Sequence, residues 1–185
     1  MAARFPRAKL LVERREWEAV QSLHPMEVPW YVPGGWEIPA ERVLVFDGDV
    51  LLGAGLALVS TTGHTEGNHT IAVHTPSGLC TISENGVGID NYVPERSAIP
   101  GIARTARRME QEVLINANTR LRTCEQYTSM VLEKILADPC RVAPEYPMHL
   151  NSSEFRASPL FPGLAPTFRV PLPDFGHLRR QARAA

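Results

Sequence analysis

The chain has 185 residues, 44% apolar and 21% charged, with a formal net charge of −1 at pH 7. That is the composition of a globular protein with room for a substantial core, and it gives no electrostatic reason for a nucleic-acid partner or an anionic membrane surface. No apolar run approaches the ~20 residues that cross a bilayer, and the start MAARFPRAKLL has no apolar h-region or cleavage site, so a cytoplasmic protein without a leader is expected.

Cys80, Cys124 and Cys140 are irregularly spaced and form no CxxC pair, which suggests idle or buried thiols in a reducing compartment. The sequons at Asn68 and Asn151 read as chance matches in a chain with no secretion signal.

In chain order, Leu10 to Val12 reads as a short strand, followed by a helix from Glu13 to Leu23 with Trp17, Val20 and Leu23 on one face. His24 to Pro39 is a loop crowded with proline and glycine. Trp30, Tyr31 and Trp36 give it large flat apolar faces suited to a substrate-pocket wall or to pinning the loop. Val43–Phe46 and Val50–Leu52 flank the turn Asp47-Gly48-Asp49 as a hairpin.

Leu56 to Val87 carries the most specific pattern. An apolar strand at Leu56–Val59 runs into the polar turn Thr61-Thr62-Gly63-His64-Thr65-Glu66-Gly67. In the next strand Ile71 and Val73 point one way, and Thr70, Ala72 and His74 the other. Pro76-Ser77-Gly78 supplies a hairpin turn, and Leu79–Ile82 returns as a third strand. The polar loop Glu84 to Tyr92 follows, then a helix over about Ile102–Gln111 with Ile102, Ala106 and Met109 on one face. Glu112–Ala117 reads as a buried strand. Thr119–Asp138 is the strongest helix, with Tyr127, Met130, Val131 and Ile135 as its buried stripe and Pro139 as its stop. Beyond Pro139, prolines every few residues predict an extended tail wrapping the body, ending in a basic, frayed HLRRQARAA.

A histidine between two glycines at a strand–loop–strand junction is well placed to ligate a metal. The order strand, T-x-G-H-T-x-G, strand, hairpin, strand resembles the second half of the first metal-binding subdomain of the metallo-β-lactamase superfamily, over roughly Phe5 to Asn118. The resemblance implies an α/β fold: a partial αββα sandwich with a mixed sheet over residues 1–138, and a proline-rich C-terminal extension over 139–185 packing on it. It also implies a zinc-dependent hydrolase, in which metal-activated water attacks an ester, lactone, thioester or amide of a small-molecule substrate.

By that resemblance His64 is a zinc ligand. The family's bridging aspartate falls at Ser83-Glu84-Asn85-Gly86, where Asn85 offers a neutral amide and Glu84 a carboxylate on the opposite strand face. The family's last histidine falls at Asn116-Ala117-Asn118, so Asn116 is another amide in place of an imidazole, and His149 is the alternative from the tail. The main ligand motif H-x-H-x-D-H is not in the chain. The expectation is therefore a truncated or late-started portion of such a hydrolase, inactive as it stands.

Two other readings remain open. One is a metal-free binding module on the same scaffold, with Trp30, Tyr31 and Trp36 lining a pocket for a small apolar ligand. The other is a subunit that self-associates through an open sheet edge. His24, His69, His74 and His177 read as solvent-facing or internally bonded, and Cys80 as a packing residue. There is no nucleophile elbow, Walker loop or dinucleotide fingerprint.

Overall fold

The computed structural model describes residue 5 and residues 7–116, 122–151 and 165–176. The chain enters as strand β1 (Leu10–Glu13) and turns at once into helix α1 (Arg14–Gln21). Glu13 makes that turn abrupt, because its carboxylate accepts from the Arg15 and Glu16 backbone N–H groups at 2.6 and 3.3 Å and so caps the helix. After the proline-rich loop, β2 (Val43–Phe46) returns parallel to β1, with Leu10 opposite Val43 and Glu13 opposite Phe46.

The hairpin expected across Asp47-Gly48-Asp49 does not form. Strand β3 (Val50–Gly53) pairs with β4 (Leu56–Ser60), while β2 pairs with β1. The two aspartates pull the turn apart. Asp47 takes a paired contact from the Arg14 guanidinium at 2.8 and 2.9 Å, and Asp49 accepts from Ser60 N–H at 2.7 Å. The segment is thus a corner between two sheets.

The larger sheet has the order β3-β4-β5-β6-β9, with β5 at His69–Thr75, β6 at Gly78–Ser83 and β9 at His149–Asn151. It is antiparallel as far as β6, and β9 then adds in parallel, Thr81 opposite His149. The mixed sheet and α/β class read from the sequence are therefore present. Strands β7 (Pro139–Cys140) and β8 (Ala143–Pro147) form a small ribbon leading to β9, so the main sheet extends past residue 139. Residues 165–176 run extended over the body. There Phe168 stacks on Tyr146 at 4.6 Å, and Thr167 N–H donates to Asp90 at 2.9 Å. The basic terminus and residues 152–164 lie outside the described residues.

The core gathers Ile89, Tyr92, Val93, Val113, Met130 and Tyr146. Ile89 and Tyr92 come from the one-turn helix α2 (Ile89–Tyr92). No strand forms over residues 112–116; Val113 is nonetheless fully buried, so the apolar run records burial and not pairing. Helix α3 (Ile102–Met109) turns Ala106 inward but leaves Met109 60% exposed, and Glu110, at φ 51°, ends it.

Helix α4 (Thr123–Leu136) keeps most of the expected stripe, with Met130 buried and Tyr127 and Val131 packed against the core, and it buries a polar stripe beside it. Gln126, Ser129, Met130 and Glu133 are buried, while Ile135 is 70% exposed. The sheet explains the polar stripe. The face presented to α4 carries Thr70 and Thr81, both fully buried, while Ile71 on the other face is 39% exposed. A threonine-lined surface offers hydroxyls, and α4 meets it with its polar stripe.

Candidate functional site

The Gly63–Gly67 turn is held between two helices, and its glycines make that approach feasible. Gly63 has φ +142°, and a Cβ there would lie 2.3 Å from the Cα of Gln126 in α4. A Cβ on Gly67 would lie 2.5 Å from that of Glu16 in α1, and the Gly67 N–H donates to the Glu16 carboxylate at 3.1 Å. His64 sits at the centre of this clamp. Its backbone N–H donates to Asn85 Oδ1 at 3.1 Å, while its imidazole Nδ1, itself a buried atom, has no hydrogen-bond partner among the described residues.

The clamp opens into a cavity of about 570 Å³. His64 and Glu84 line it from the sheet side, and Trp30 and Tyr31 from the proline-rich loop. Four residues selected by different sequence arguments therefore share one space. Trp36 is not among its walls; it packs edge-on to Trp17 and tilted to Tyr31, both at 6.3 Å, and so anchors the loop. Glu16, Glu27 and Glu66 add carboxylates to the cavity, and Arg122 supplies a guanidinium that is ion-paired to Glu66 and Glu125. The Tyr31 hydroxyl donates to Glu16 at 3.4 Å, and burial, followed by the charges of Glu16 and Glu27, pushes its pKa up to about 12.

Asn85 and Asn116 do not line this cavity. Asn85 is fully buried, and its Nδ2 donates to the Thr61 carbonyl at 2.9 Å and to Glu133 at 2.7 Å. Asn116 Nδ2 donates to the Asn85 carbonyl at 2.9 Å. Both amides belong to a buried network centred on Glu133. That carboxyl also accepts from Thr70 Oγ1 and Tyr92 OH, each at 2.7 Å, and Thr70 in turn meets Thr61 at 2.8 Å. Burial, reinforced by the Glu133 charge, raises the Tyr92 pKa well above that of a free phenol. The sequence reading missed Glu133. Its signal is the i, i+3, i+4, i+7 spacing of Gln126, Ser129, Met130 and Glu133 on one helical face.

The donors of the described residues do not by themselves make up a metal site. Among the described residues, no group of three His, Cys, Asp or Glu side chains converges to hold one. His69 is engaged through both ring nitrogens, with the Gly67 and Gly48 carbonyls at 2.7 and 3.0 Å, and His74 is exposed on the sheet. His149 lies on β9, fully buried, with Nδ1 2.9 Å from Thr81 Oγ1 and its ring 3.9 Å from that of Tyr92. Burial drives its pKa down to about 3. It lines a different cavity, of about 340 Å³, beneath residues 166–172, so the fold does not bring it together with His64. Cys80 is buried in β6, and its thiol is pushed up to about 11 by desolvation, far from a reactive thiolate.

No family model matches the chain, and no curated protein matches it. Several solved structures are similar in part. A B. thuringiensis AiiA variant with N-decanoyl-L-homoserine bound at the active site is 24% identical, at a TM-score of 0.42 over 58% of this chain and 43% of that one. An N-acyl homoserine lactone hydrolase with N-hexanoyl-L-homoserine at its catalytic metal centre is 24% identical, at 0.39 over 54% and 40%. A quorum-quenching N-acyl homoserine lactone lactonase is 23% identical, at 0.39 over 56% and 44%. The matched region spans less than half the length of each of these proteins.

Proposed function

We propose that this chain is a metallo-β-lactamase-like scaffold that binds a small molecule in the cavity beside His64, with no metal held by the described residues. One observation carries the reading: His64, Glu84, Trp30 and Tyr31 line a single cavity of about 570 Å³. Concave sites with aromatic walls and a few convergent polar groups are where small ligands bind. The amides standing where the family resemblance places metal ligands support the metal-free reading. Asn85 and Asn116 are both committed to buried hydrogen bonds, and Asn85 bonds directly to Glu133.

A second reading has its own support. The buried Nδ1 of His64, without a partner among the described residues, is the kind of atom a zinc ion would complete, with further ligands drawn from outside those residues. Under that reading the chain is part of a hydrolase acting on an ester, lactone, thioester or amide. Equilibrium dialysis against zinc, followed by metal analysis, separates the two. The first predicts no stoichiometric zinc, and the same result for wild type and His64→Ala. One equivalent of zinc in the wild type, lost in His64→Ala, replaces the first reading with the second.

A further inference from the structure

The second cavity, of about 340 Å³, has a pinned wall. That wall is the extended segment 165–176. At one end the Thr167 N–H donates to Asp90 at 2.9 Å, and at the other the Asp174 N–H donates to Ser77 Oγ at 3.0 Å. Between these anchors Phe168 and Val170 pack against the core and line the cavity. Ile82 of β6, Leu150 of β9 and Ile89 of α2 line it from the body of the fold. Ligand sites run from ~300 to ~1,000 Å³, so this one suits a small molecule, and its aliphatic walls favour an apolar body.

The charge on these walls has one sign. Among the described lining residues Arg169 carries the one permanent charge, and none is a carboxylate. His149 also lines the space, but burial holds its pKa down at about 3, so it is neutral at pH 7. Arg169 is exposed, which places it at the rim, and its guanidinium makes no hydrogen bond or ion pair with the described residues. The planar fork of donors matches the two oxygens of a carboxylate, whereas a single cation leaves a doubly charged phosphate half-compensated. Apolar walls and one unpaired guanidinium at their rim complement an amphiphile with an anionic head.

We infer that this cavity takes a monocarboxylate with an aliphatic chain, the chain lying between Ile82, Ile89 and Leu150 on one side and Phe168 and Val170 on the other, and the carboxylate paired to Arg169 at the rim. It is a second site, apart from the His64 cavity, and it stands whether or not that cavity binds a ligand.

The test titrates the full chain calorimetrically at pH 7 with three probes of equal chain length: sodium octanoate, octan-1-ol and octylammonium chloride. Octanoate should bind most tightly, at least ~3-fold ahead of the alcohol, as a solvent-exposed ion pair provides, and octylammonium should bind least. Without the cation, apolar walls would rank the alcohol first, because its neutral head is cheaper to desolvate. Arg169→Gln should remove the octanoate preference. Leu172→Glu, which adds a carboxylate at a lining position that is 78% exposed, should weaken octanoate and strengthen octylammonium. Octan-1-ol binding as tightly as octanoate, or more so, overturns the carboxylate assignment. An octanoate preference untouched by both variants places the anion elsewhere on the surface and also overturns it. Saturable binding of none of the three overturns the cavity as a site.

Discussion

Two polar clusters lie on either side of Asn85, and they differ in what their atoms meet. On the inner side, Glu133 takes hydrogen bonds from Thr70, Asn85 and Tyr92 at 2.7 Å each, within a layer sealed between α4 and the sheet. On the outer side, Nδ1 of His64 has no partner among the described residues, Trp30 is largely exposed, and Glu16, Glu27, Glu66, Glu84 and Arg122 line a cavity. A satisfied buried network holds a fold in one arrangement, whereas unsatisfied convergent groups on a cavity await a ligand. Asn85 joins the two, with Oδ1 toward the His64 backbone and Nδ2 toward Glu133. Under the proposed function, the polar residues on α4 serve stability and those on the loops serve binding.

The sharpest way to break this contrast is to remove the hub. Glu133→Ala removes the shared acceptor of Thr70, Asn85 and Tyr92 from a buried layer and should cost about 3–5 kcal/mol in urea unfolding. A loss within the ~0.5 kcal/mol typical of surface changes would deny the network its structural role.

Acid should reach the inner side next. His149 has its folded pKa lowered from 6.5 to about 3, so between those values the unfolded chain holds a proton that the folded one does not. Stability therefore falls as pH drops from 6.5 toward 3, with His149 contributing about 1.4 kcal/mol per unit. In His149→Gln the pH slope in that window should be shallower by that amount, whatever the stability of the variant at pH 7.

Gly63→Ala tests the clamp. The new Cβ would meet backbone atoms of Gln126 at 2.3 and 2.5 Å from a φ of +142°, so a loss of about 2 kcal/mol or more is expected by thermal or urea unfolding. A neutral substitution would mean that the loop does not rest on α4. Trp30→Ala should move stability least, by under about 0.5 kcal/mol, because the side chain is largely exposed. A large destabilisation would make Trp30 an anchor like Trp36 and remove it from the binding wall.

The strands of the central motif were legible because Leu56–Ser60, His69–Thr75 and Gly78–Ser83 alternate within clear turn signals. Which face is buried was not legible. Hydrophobicity favours Ile71 and Val73, yet Thr70 and Ala72 are the buried residues, because α4 answers the Thr70 hydroxyl with the Glu133 carboxylate. The apolar part of the α4 stripe, Tyr127, Met130 and Val131, was legible, whereas its polar part was hidden, since a scan for apolar residues passes over Gln126 and Glu133. The Asp47-Gly48-Asp49 corner looked like a hairpin because its partners, Arg14 and Ser60, are 33 and 11 residues away in sequence. At the site, His64, Glu84, Trp30 and Tyr31 were readable one at a time. Their meeting depends on the loop being pinned by Trp36 against Trp17, a contact no local pattern announces.

The most direct test of the account is a nitrogen-detected NMR titration of the histidine side chains with zinc. The account predicts that one equivalent of zinc leaves the His64 imidazole resonances unchanged, as it leaves those of His149, which is buried against Tyr92. A His64 resonance that moves stoichiometrically with zinc would contradict it.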